Sequence, residues 1–179
     1  MANNRFGIKE VADVSFYPLT ETGHEETPVL VLDTLKVSNI EFTSEQTEAR
    51  GGKGNAPLII WDYGREATVT LQDALLSMDT LSLLFEKEAR SNIGATGTIE
   101  ISADTFPGTY YVEGHTWARD EKTGNDDEFI FTIERAKVQS NVTLTMEAEG
   151  DPTVLDITLR VLRGTDGKMV TLTKAVVEA

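Results

Sequence analysis

EFTSEQTEARGGKGNAPLIIWDYGREATVTLQDALL, residues 41–76, is the stretch on which the reading of this chain turns. It opens extended and polar, with no apolar side chain from Thr43 to Glu48. The glycine-rich run Arg50-Gly51-Gly52-Lys53-Gly54-Asn55 follows, Pro57 closes it, and a solid apolar strand leads through Trp61-Asp62-Tyr63-Gly64. Such a segment has too little apolar surface to bury itself. It predicts an extended loop over residues 43–57 that reaches outward and pairs with something else.

Working outward, strands dominate. Residues 29–40 begin apolar on both faces and then alternate. Residues 58–61 and 66–71 read as strands separated by Asp62-Tyr63-Gly64-Arg65. Residues 98–103 alternate with Ile99, Ile101 and Ala103 on one face, and residues 109–119 are aromatic and β-rich. Residues 128–138 and 141–149 predict a hairpin around Gln139-Ser140. Residues 154–163 and 169–177 predict another, turned by Gly164-Thr165-Asp166-Gly167. Alternation over these lengths means one dry face and one polar face. One segment has helical spacing: Leu71, Ala74, Leu75, Met78, Leu81, Leu84 and Phe85. The favoured helix is the shorter one, residues 78–90, with Ser77 as N-cap and Asp79 near its positive end. Gly94 and Gly97 are expected to stop it. The sum is one mainly β domain over residues 1–179, two packed antiparallel sheets as a sandwich or half-open barrel, with one flanking helix.

The chain has 179 residues, enough to bury a sizeable core unaided, and no cysteine, which excludes disulfides and thiolate chemistry. No secretory signal is visible at the N-terminus and no apolar run approaches a membrane span, so a soluble product made in a cytoplasm is expected. The net charge of −14 opposes stable binding to nucleic acid or to anionic membranes. In blander terms it serves solubility.

Catalytic chemistry is hard to find. His24 lies in a polar segment and His115 on a strand, far apart in sequence, and both read as solvated or packed rather than catalytic or metal-binding. Gly51-Gly52-Lys53-Gly54 leads into a strand, not the helix a phosphate-binding loop requires, and Gly167-Lys168 is followed by Met169 instead of a hydroxyl. In the acidic turn at residues 120–128, Lys122 stands where a calcium loop needs an oxygen. Asn141-Val142-Thr143 matches a glycosylation sequon without a secretory context. No enzyme activity and no cofactor is expected.

Residues 41–76, with Arg50-Gly51-Gly52, Gly54-Asn55, Trp61-Asp62-Tyr63-Gly64 and Asp73-Ala74-Leu75, resemble the tail tube (major tail) proteins of tailed bacteriophages. The opening Arg5-Phe6-Gly7-Ile8-Lys9-Glu10-Val11-Ala12-Asp13-Val14 looks like their N-terminal segment, residues 77–85 like the start of their helix, and residues 155–174 like their closing strands. The resemblance implies a virion protein whose copies close into hexameric rings and stack into a tube around a tape-measure protein. Tail terminator and baseplate proteins would complete the partners, and DNA would pass through the bore without specific binding. The loop at residues 43–57 would reach a neighbouring subunit or ring.

The residues suit that role. Gly51, Gly52 and Gly54 keep the loop flexible and permit positive φ. Ordering it costs roughly 1–2 kcal/mol of backbone entropy per residue, so assembly must return many contacts at once. Arg50 and Lys53 are expected to pair with carboxylates of the next subunit, against the plain alternative that they solvate the loop. An acidic bore would repel phosphate. By alternation, Glu100, Ser102 and Asp104 on one strand, and Thr143, Thr145, Glu147 and Glu149 on another, are the lumen-facing candidates. Trp61, Tyr63 and Trp117 read as core or interface anchors. Two other readings stay open: another ring-forming tail or baseplate component of the same fold, and a carbohydrate- or protein-binding β-sandwich using Trp117, Tyr110 and Tyr111.

Overall fold

A computed structural model describes residues 5–8, 13–91, 93, 97–139 and 155–175. Among them run β1 (Phe6–Ile8), β2 (Asp13–Pro18), β3 (Leu30–Leu32), β4 (Leu35–Gly51), β5 (Ala56–Asp73), α1 (Met78–Phe85), β6 (Thr109–Asp120), β7 (Asp126–Val138), β8 (Leu155–Val161) and β9 (Thr171–Lys174). The strands form one sheet in the order β3-β2-β6-β7-β8-β5-β4, with β1 added to β6 and β9 to β7. Every ladder is antiparallel.

The two ends of that order, β3 and β4, are joined in sequence by Asp33 and Thr34 alone. Three peptide steps reach about 11 Å at most. The sheet must therefore curl until its ends meet, and the expected two layers are opposite walls of one rolled sheet. Where β4 begins, polar groups extend its ladder with β5 past Leu35↔Asp73. Thr34 Oγ1 donates to the buried Asp73 carboxylate at 2.5 Å, and Ala74 N donates to Thr34 O at 3.0 Å.

Inside the roll, alternate residues of β2, β5, β6, β7 and β8 meet. Val14 and Phe16, Val69 and Leu71, Val112, Ile133, Val138, and Leu155, Ile157 and Leu159 are buried in one cluster, and α1 adds Leu83 and Leu84. The helix begins as expected, with Ser77 Oγ accepting from Thr80 N at 3.0 Å. It ends at Phe85, not at residue 90. Beyond Glu86 the amides leave the helical ladder: Ala89 N donates to the Tyr110 hydroxyl at 2.8 Å and Arg90 N to Ser82 Oγ at 2.8 Å.

Several expected elements differ. Residues 29–40 are not one strand, because Asp33 and Thr34 separate β3 from β4. Asp62-Tyr63-Gly64-Arg65 is no turn. β5 runs straight through it with a bulge, Thr43 facing Glu66 while Glu45 faces Tyr63, and Gly64 takes a left-handed φ of 61°. Residues 98–103 hold no strand. β8 and β9 are not hairpin partners. Both pair with β7, at residues 136–138 and 129–132, so the chain leaves that edge and returns to it. Residues 141–149, and the turn proposed at 139–140, fall largely outside the described residues.

Candidate assembly surface

The expected loop at residues 43–57 is mostly strand. β4 and β5 pair from Leu35↔Asp73 to Gly51↔Ala56, and the turn is confined to residues 52–55. β8 pairs with β5 only as far as Thr68↔Arg160. Beyond that point the two strands form a projecting arm, about 30 Å long at some 3.3 Å per residue. No described strand pairs with either outer edge of the arm.

The apex is locally closed. Gly52, Gly54 and Asn55 have φ values of 77°, 93° and 52°, and Asn55 N donates to Gly52 O at 3.3 Å. Arg50 is engaged within its own arm, pairing with Glu48 at 2.9 Å and donating to Asn55 O at 3.4 Å. Lys53 stands exposed at the tip. Midway, Gln46 Nε2 donates across the ladder to Asp62 Oδ1 at 2.7 Å.

Alternation along β5 gives the arm two apolar faces. Ile59, Trp61 and Tyr63 follow one side, opposite Ala49, Thr47 and Glu45, and Ile60 lies on the other side opposite Glu48. Leu58, Ile59, Ile60, Trp61 and Tyr63 are 51–67% exposed. Covering each would contribute roughly 1–2 kcal/mol. A lone two-stranded ribbon is marginal in water, and a long apolar edge is a template for pairing with another chain. Charge agrees: residues 43–66 carry Arg50, Lys53 and Arg65 against Glu45, Glu48, Asp62 and Glu66, near balance in a chain of net charge −14. Trp61 and Tyr63 are therefore not core residues, and neither is Trp117, which is 50% exposed.

Of the other candidates, Glu100, Ser102 and Asp104 are exposed but share no strand face, so the alternation that grouped them is absent. Thr143, Thr145, Glu147 and Glu149 lie outside the described residues. Tyr110 is buried against Phe16, and Tyr111 stacks on His24 at 3.8 Å, so with Trp117 apart they form no shared platform. His115 bridges two carboxylates, Glu113 at 2.8 Å and Glu128 at 3.0 Å. Among the described residues no cluster of three potential ligands could hold a metal, and no helix is long and apolar enough to cross a membrane. Sequence reasoning missed Phe42, Leu75, Leu76 and Phe106, exposed apolar side chains whose surroundings depend on tertiary placement.

The family model described as the YomU/Tube protein family matches the chain in two stretches, residues 6–94 and 93–173. No curated protein matches it.

Proposed function

The chain belongs to the YomU/Tube protein family, a family of phage tail tube proteins with a structural role, and from that premise we propose that its copies close into hexameric rings and stack into the tail tube. The observation that carries this reading is the arm. It exposes apolar side chains on both faces, is unpaired at both edges among the described strands and is nearly balanced in charge, so covering it with another copy gains apolar burial without confronting like charges. In the virion the tube would enclose a tape-measure protein, meet terminator and baseplate proteins at its ends, and pass DNA. Synthesis would take place in the host cytoplasm.

The acidity suits a conduit, since a wall of carboxylates does not grip phosphate. Glu100, Ser102, Asp104, Thr143, Thr145, Glu147 and Glu149 remain the proposed bore residues. The pairing proposed for Arg50 is modified by its contact with Glu48, which leaves Lys53 as the cation better placed to meet a neighbour's carboxylate.

Negative-stain microscopy of the purified protein tests the reading. Stacked annuli or hollow filaments are expected. Single rings that never stack would move the protein to a terminator or baseplate role, and isolated globules at high concentration would overturn the proposal.

A further inference from the structure

We infer that an arginine-lined cavity at the end of β8 receives the acidic turn at residues 20–26 of a second copy, an ionic joint distinct from the apolar faces of the arm. This rests on the ring reading and names a pair of surfaces within it.

The cavity measures about 320 Å³. Arg160 lines it from the end of β8, Arg163 from the connection to β9, and Arg65 from β5. Three of the chain's eight arginines thus share one recess, in a protein with 30 acidic and 16 basic residues. Among the described residues that line it, Glu66 supplies the one carboxylate, and Arg160 already pairs with it. Arg65 and Arg163 form no ion pair among the described residues. Gathered guanidinium groups repel one another until an anion joins them, and their planar forks match carboxylates. The recess is also built in advance. Leu162 N donates to Arg135 O at 2.8 Å, Gly164 N to Lys168 O at 2.8 Å and Thr165 N to Glu134 Oε2 at 3.0 Å, so the connection is fixed on both sides of Arg163. The Arg163 guanidinium lies against left-handed Gly167, where an added Cβ would stand 3.1 Å from Nη2.

The chain itself carries a matching surface. Residues 10–35 hold six carboxylates and no Lys or Arg. Within them the turn exposes Glu21, Glu25 and Glu26, none of which forms an ion pair among the described residues. Lys87 and Arg135 share crevices with Glu25 and Glu21, but each is next in sequence to a glutamate, so the surroundings stay acidic. The turn is rigid: Thr20 N donates to Gly23 O at 2.9 Å, Glu25 N to Pro18 O at 2.9 Å, and His24 stacks on Tyr111. β2, which leads into it, stands three strands from β8 in the sheet order, roughly 14 Å along the sheet at 4.8 Å per strand. A turn held this way does not fill its own copy's cavity. Joining two unlike surfaces makes the contact heterologous, the kind that repeats around a closed ring.

Complementary charge reversal tests the joint. Arg163→Glu, and independently Arg65→Glu, should raise the threshold concentration for polymerisation about tenfold, because like charges then face each other. Glu25→Lys with Glu26→Lys should do the same, and adding that pair to Arg163→Glu should restore the parent threshold. All four positions are exposed, so unfolding midpoints should hold. Normal polymerisation of both arginine variants, or no recovery in the combined variant, would overturn the joint and leave the tube reading intact. Duplex DNA retained by the parent and released by Arg163→Glu would give the cavity to phosphate and overturn it too. A parent chain that stays monomeric would overturn both readings.

Discussion

His115 stands between Glu113 on its own strand and Glu128 on β7, with Asp13 of β2 directly across the ladder. Partial burial pulls its pKa down, but the hydrogen bonds to the two glutamates outweigh that, and the net shift is upward from 6.5. A raised folded value means that the stabilising contribution is fully present below the unfolded pKa and is lost as pH rises through the folded one. Thermal midpoints of the parent and of His115→Gln should therefore differ most below pH 6.5 and converge as pH climbs. A difference that grows toward alkaline pH would contradict the assignment. One residue earlier, Gly114 lies under the Phe131 ring, where an added Cβ would stand 2.1 Å from a ring carbon. Gly114→Ala should cost about 1–3 kcal/mol in urea unfolding, because Phe131 is buried and has nowhere to retreat. Both contacts depend on the β6–β7 register. The sequence shows Glu113 two residues from His115, but Glu128 and Phe131 become neighbours only once that ladder is aligned.

The arm is the element on which sequence and structure differ most instructively. Its apolar strand was legible, as was its outward reach. Its partner, residues 43–51, reads as loop because periodicity reports burial, and this strand buries neither face. It is a strand because β5 supplies its hydrogen bonds. The same logic explains the missing strand at residues 98–103, where alternation is present but no described neighbour offers a ladder. The helix start was legible from Ser77. Its end was not, because the tertiary acceptors Tyr110 and Ser82 decide it. Since the core cluster includes no residue of the arm beyond Ala67, the arm can be removed without touching the core. Replacing residues 47–61 with an Asn-Gly hairpin turn should leave the unfolding midpoint nearly unchanged and abolish polymers seen by microscopy. Retained polymers would show that assembly runs through another surface.

At the scale of the molecule, net charge governs how copies approach. A chain of −14 repels its own kind, and screening tightens from about 30 Å at 0.01 M salt to about 8 Å at 0.15 M. If apolar contacts drive polymerisation, the threshold concentration measured by light scattering should fall over that range. A rising threshold would instead show that opposite charges hold the copies together. The mainly β composition and the one helix among the described residues were readable from pattern alone. The curl of the sheet was not, because it follows from the pairing order and a two-residue link that no local signal marks. One further consequence lies at the base of the arm. β8 releases β5 at Thr68, and a bulge with left-handed Gly64 shifts the register of the remaining two strands near the base of the arm. A filament joined through such necks would be a train of stiff bodies on compliant couplings. Its persistence length would then be set by a handful of residues in each copy rather than by the curled sheet that makes up its bulk.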